Sequence, residues 1–128
     1  MAKGIEIRDA HFPGRAPIDA YGNGGFRFAD MSHRGSLLCL PSGIHGWAAS
    51  EETLFDPDQF AKVLADAGEI ETLLIGTGRD IRLIPSQIKT LLRDAGMTSD
   101  PMSTGAAVRT YNVMLSESRA VAAALIAV

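Results

Sequence analysis

Two periodicities divide the chain. Over the first fifty residues, short apolar runs alternate with polar positions and are separated by turn-forming residues, which is the patterning of strands. The runs cover residues 4–8, 18–21, 26–28, 36–40 and 44–48. Gly22-Asn23-Gly24-Gly25 lies between the second and third, and an Asn-Gly pair accepts the positive φ angles of a two-residue hairpin. Pro41-Ser42-Gly43 separates the last two runs. Alternation puts His45 and Trp47 on one face of the strand that follows.

Beyond residue 55 the spacing becomes helical. Asp56 is placed as an N-cap, Pro57 at the first helical position and Gln59 as the third residue of a capping box, while Phe55 and Phe60 occupy staple positions. Phe60, Val63, Leu64 and Ala67 form the apolar stripe, and Gly68 supplies a stop. A second helix is expected over 85–95, with Ile88, Leu91, Leu92 and Ala95 facing inward and Gly96 ending it. A third starts at Ser103 or Thr104, just after Asp100-Pro101, and directs Ala107, Val108, Tyr111, Met114 and Leu115 to the core. Arg109 and Asn112 fall on its other side.

Two runs among these helices have strand character. Residues 71–75 end in Leu73-Leu74-Ile75 and feed a Gly76-Thr77-Gly78-Arg79 loop before the second helix. Residues 120–128 are apolar at both parities, as in a strand covered on both faces. The strand, loop and helix order predicts an α/β domain with right-handed crossovers. No repeat, low-complexity segment or long linker interrupts the 128 residues, so they read as one domain, with 1–16 a loosely ordered N-terminal segment. Phe26 and Phe28 read as packing for a second β layer, with a homodimer contact as the alternative.

Composition narrows the function class. The formal net charge is -3, which argues against a nucleic-acid partner. Seven acids against Lys62 occupy residues 51–71, whereas 79–119 carry six bases against four acids. These read as solvated faces of opposite sign, and Glu51-Glu52 as part of the wet one. The single Cys39 lies within Leu37-Leu38-Cys39-Leu40 and reads as a small buried apolar side chain. No apolar run approaches the roughly 20 residues of a membrane-spanning helix, and residues 1–7 show neither an export nor an import signal, so the expected compartment is the cytoplasm.

Candidate chemistry concentrates at the loop. Backbone N–H groups of Gly76, Thr77 and Gly78, with the Arg79 guanidinium, form either an ordinary strand-to-helix turn or a site for a small anion or a partner's carboxylate. Position 81 is Ile81 rather than a third glycine, and no Gly-Lys-Ser/Thr follows, so no nucleotide cofactor is expected. His11, His33 and His45 lack close-spaced metal-ligand partners, and no metal is expected. No Gly-x-Ser-x-Gly elbow is present, and Ser103 reads as a helix cap. Arg109 offers a planar donor for a carboxylate, and Thr110 and Asn112 are placed to satisfy loop backbone groups if the third helix packs beside Gly76-Gly78.

Leu73-Leu74-Ile75-Gly76-Thr77-Gly78, Ile84-Pro85, Met102-Ser103-Thr104 with Ala106-Ala107, Arg109-Thr110-Tyr111-Asn112-Val113, and Glu117 followed by Arg119-Ala120-Val121-Ala122-Ala123-Ala124-Leu125 occur in this order. Together they resemble the Mth938-like domain family, whose mitochondrial members include the third assembly factor of respiratory complex I. The resemblance runs over 18–128. It implies a layered α/β domain with a central mixed sheet flanked by helices and an additional N-terminal β element, without disulfide, metal or cofactor. It also implies a noncatalytic protein-interaction module of a bacterial type, with complex I subunits or assembly factors as partners. The alternative is a small-molecule or anion-binding enzyme using Gly76, Thr77, Gly78 and Arg79 together with Arg109 and Asn112.

Overall fold

The computed structural model describes residues 11–128. The strand expected over 4–8 lies outside the described residues. Strands β1 (His11–Phe12), β5 (Ser36–Leu40), β6 (Gly43–Trp47), β7 (Thr72–Gly76), β8 (Thr98–Met102) and β9 (Val121–Leu125) make a six-stranded sheet in the order β1-β6-β5-β9-β7-β8. Pairing is antiparallel from β1 through β9 and parallel from β9 through β8. A second sheet holds β2 (Ala20–Gly22), β3 (Gly25–Phe28) and β4 (Met31–Arg34) in that order.

Alternation along the central strands builds two cores. Leu38, Leu40, Leu73, Ile75, Ala122 and Ala124 face one side, where α1 (Ala61–Ala65) contributes Val63 and α2 (Ser86–Asp94) contributes Ile88 and Leu92. Leu37, Cys39, Leu74, Val121, Ala123 and Leu125 face the other, under Tyr111 of α3 (Thr104–Ser116) and under Phe26 and Phe28 of the small sheet. Both phenylalanines are buried, so they form the second β layer. All five residues of β9 are buried, which explains why that run is apolar at both parities. The chain passes from β7 through α2 out to β8 and back through α3 to β9. Right-handed crossovers in opposite directions require helices on opposite faces, as found.

The Asn23-Gly24 hairpin forms as expected, with Gly22 opposite Gly25 and positive φ at both turn residues. Gly96 ends α2 at φ +93°, and the Ser103 hydroxyl accepts a hydrogen bond from the Ala106 N–H as the N-cap of α3.

Three elements differ from expectation. The first helix is broken into a 3-10 turn Pro57–Phe60, the short α1 and a second 3-10 turn Ala67–Glu69, and the Asp56 side chain makes no capping bond. The Gln59 carbonyl, which a regular helix would use internally, instead accepts from Trp47 Nε1 at 2.8 Å. Gly68 sits inside the second 3-10 turn rather than after a helix end. Strand β8, which contains Pro101, was not expected from the sequence pattern, which places these residues only ahead of the third helix. It survives because it is an edge strand, where a missing N–H costs no ladder bond. Strand β4 follows a turn in which Ala29 and Asp30 both have positive φ, a conformation that Asp30 tolerates but Ala29 does not signal in sequence.

Candidate functional site

The loop after β7 is closed by its own neighbours. Thr77 is 1% exposed; its N–H donates to the Met102 carbonyl at 2.9 Å, and its hydroxyl donates to the Asp80 carbonyl at 2.7 Å while accepting from the Arg82 N–H at 3.0 Å. Gly78, at φ +115°, donates its N–H to Thr104 Oγ1 at 3.0 Å, and its carbonyl accepts from the Thr104 N–H at 2.8 Å. Thr104 Oγ1 in turn donates to the Ile126 carbonyl at 2.7 Å, and the Ile126 N–H reaches the Gly76 carbonyl at 2.9 Å. Gly76 is required by proximity: a Cβ there would lie 3.0 Å from Thr104 Cα and 3.1 Å from Leu125 Cδ2. At Gly78 a Cβ would overlap the Glu51 carboxylate, which rests against that residue.

The N–H groups of Thr77 and Gly78 are therefore committed within the fold. The role assigned in sequence to Thr110 and Asn112 belongs to Thr104, a fully buried residue read there only as a helix start. Asn112 brackets Ile18 instead: its Oδ1 accepts from the Ile18 N–H and its Nδ2 donates to the Ile18 carbonyl, both at 2.9 Å. That bond pair fixes the segment entering the small sheet onto α3. Arg109 is exposed on α3, and it is not among the residues lining the space beside Arg79. The structure thus gathers Gly76, Thr77, Gly78 and Arg79 and sets Arg109 and Asn112 apart from them.

Arg79 is exposed and borders a cleft of about 500 Å³ at the end of the large sheet. Trp47, Ser50, Glu51 and Glu52 share its lining. Trp47 is a fixed wall, held by its bond to Gln59 and by an edge-on contact with Phe60 at 5.9 Å between ring centroids. Beside the cleft, the Arg82 guanidinium lies 5.3 Å from the Phe55 ring centre and donates to the Glu51 carbonyl. Sequence reasoning missed Glu51, Arg82 and Trp47 here because each is brought to the loop by tertiary contacts.

Under α3, the Cys39 thiol is pushed up to about 12, chiefly by burial, with a hydrogen bond to Tyr111 opposing the shift. Burial also raises the Tyr111 hydroxyl, and the neighbouring Cys39 adds to the effect. Both groups are neutral at physiological pH, so Cys39 is a packed side chain and not a nucleophile. Among the described residues, no three His, Cys, Asp or Glu side chains gather as a metal-binding group.

The model of the protein family described as of unknown function, DUF498/DUF598, matches residues 18–126. The chain belongs to that family. An uncharacterised protein of Rhodobacter capsulatus is 45% identical over 93% of this chain and 90% of its own length. A Bordetella pertussis structure described as a Mth938-like domain has a TM-score of 0.70 at 25% identity, covering 87% of this chain and 85% of that one. A Bartonella henselae crystal structure, described as that of an outer membrane protein, has a TM-score of 0.84 at 56% identity and covers 91% and 98%. The chain is also similar to NADH dehydrogenase [ubiquinone] 1 alpha subcomplex assembly factor 3 of mouse, 25% identical over 95% of this chain and 66% of that factor. The human factor is 28% identical over 85% of this chain and 59% of its own length. The chain thus spans 59–66% of the length of those factors. No helix among its described residues is long and apolar enough to cross a membrane.

Proposed function

We propose that this Mth938-like domain is a noncatalytic protein-interaction module that assists assembly of respiratory complex I, acting in the bacterial cytoplasm on complex I subunits or their assembly factors. The observation that carries the reading is the match to assembly factor 3 along 95% of the chain. The surface supports it. Ile81 and Leu83 are 59% and 83% exposed, yet their loop is anchored by the Thr77 hydroxyl at one end and by buried Ile84 at the other. Two ordered aliphatic side chains in water represent apolar area that a partner would cover.

The alternative, an anion-binding enzyme using the loop with Arg109 and Asn112, has less support. The Thr77 and Gly78 amides already have acceptors, and Asn112 is occupied with Ile18. The test is affinity purification of the tagged protein from its own cell at low and then moderate salt, followed by mass spectrometry. Enrichment of complex I subunits or assembly factors, reduced by Leu83→Ser, is the expected result. No enrichment, together with normal complex I in a deletion strain, would refute the proposal.

A further inference from the structure

The cleft beside Arg79 has a position and a charge arrangement that the interaction reading does not use. Strands β6, β9 and β7 run in the same direction, because β6 and β9 are both antiparallel to β5 and β9 is parallel to β7. The segments leaving their carboxyl ends, residues 48–52, 126–128 and 77–79, meet at one end of the sheet and supply most of the cleft lining. In open α/β sheets, the crevice outside the carboxyl ends of the strands is where ligands bind. Here it is a shallow cleft of about 500 Å³, largely open to solvent.

Among the described residues, the charges bordering it have no ion-pair partner. Arg79, Glu51 and Glu52 all border the cleft, all are exposed, and none makes an ion pair; among the described residues the ion pair is Arg119 with Glu117. The Glu51 side chain rests on Gly78, and its backbone is tied to Arg82, so this wall is held in place. Opposite charges that share a cleft without meeting leave room for a molecule carrying both signs.

We propose that the cleft binds a zwitterion of the α-amino-acid type, with its carboxylate on the Arg79 guanidinium and its ammonium on Glu51 and Glu52. A planar guanidinium is suited to bidentate carboxylate recognition. Trp47 forms an apolar wall for the ligand's side chain. A free amino acid and the zwitterionic dipeptide share this chemistry.

The test is an amide-resolved NMR titration of the full chain with a mixture of free amino acids, and separately with dialanine, at millimolar concentration. The expected result is saturable shifts confined to the amides of residues 47–52, 77–79 and 126–128, at least about tenfold weaker in Arg79→Gln and weakened also in Glu52→Gln. The probe that saturates first identifies the source of the zwitterion. Both substitutions are at exposed positions outside the core, and an unchanged spectrum elsewhere verifies the fold. Absence of saturable shifts with either probe, or shifts that persist equally in Arg79→Gln, would overturn the proposal. Loss of partner capture by Leu83→Ser leaves this result untouched, so the two readings fail separately.

Discussion

Replacing Thr104 by valine tests whether the corner joining β7, β8, α3 and β9 is held by one hydroxyl. The side chains are close to isosteric, so packing changes little, but two groups lose their partner. The Gly78 N–H loses an acceptor at 3.0 Å, and the Ile126 carbonyl loses a donor at 2.7 Å. Thr104 is 0% exposed, so water cannot replace the hydroxyl without structural opening. Each orphaned buried group costs about 1–3 kcal/mol, which predicts a total of roughly 2–6 kcal/mol. Thr104→Ser keeps the hydroxyl and deletes one methyl, for which the expected loss is about 1 kcal/mol. The assay is urea unfolding followed by far-UV circular dichroism, read as a change in midpoint at constant slope. A Thr104→Val protein within about 0.5 kcal/mol of wild type, or a serine variant as unstable as the valine one, would refute the reasoning.

The Gly78 position predicts coupling to Glu51. Gly78→Ala, which adds a Cβ at φ +115° against the Glu51 carboxylate, is expected to destabilise by about 1–3 kcal/mol, and adding Glu51→Ala should recover the steric part but not the backbone part. Strict additivity in the double-mutant cycle would show that the contact is irrelevant. Asn112→Ala removes both bonds to Ile18 and is expected to cost about 1–3 kcal/mol, with amide exchange accelerated over 16–22; unchanged exchange there would count against the clamp. Cys39 predicts an alkaline dependence. Its folded value of about 12 lies above the ordinary 9.0, so the stabilisation is fully present below about pH 9 and is lost as pH rises toward 12. Relative to Cys39→Ala, the wild type should lose on the order of 1 kcal/mol by pH 10 in urea midpoints, and parallel pH curves for the two proteins would contradict this.

The elements most legible in sequence are those whose local and tertiary requirements agree. In α3 the stripe of Ala107, Val108 and Tyr111 is buried, its cap is Ser103, and β9 is apolar at every position because helices and strands cover both faces. The misreadings arise where a distant residue overrides local preference. Trp47 takes the Gln59 carbonyl and divides the first helix, although Pro57 and Asp56 give a regular starting signal. Pro101 is acceptable in β8 because that strand is at the edge, and edge position is a property of sheet order rather than of the residue.

The same distinction governs the site. Gly76, Thr77 and Gly78 were visible as a glycine-rich loop, but the partners of the Thr77 and Gly78 N–H groups, Met102 and Thr104, lie about 25 positions away. Sequence spacing left both an ordinary turn and an anion cradle open, and tertiary structure decides for the turn by filling the loop with Met102, Thr104 and the Glu51 side chain. The consequence is a shift of recognition from backbone to side chains. A loop whose amides are consumed can still present Arg79 on one side and the aliphatic pair Ile81 and Leu83 further along, and the bonds that consume the amides hold those side chains in place. Closing the corner rigidifies the surface beside it, which lowers the ordering cost of binding whatever contacts that surface.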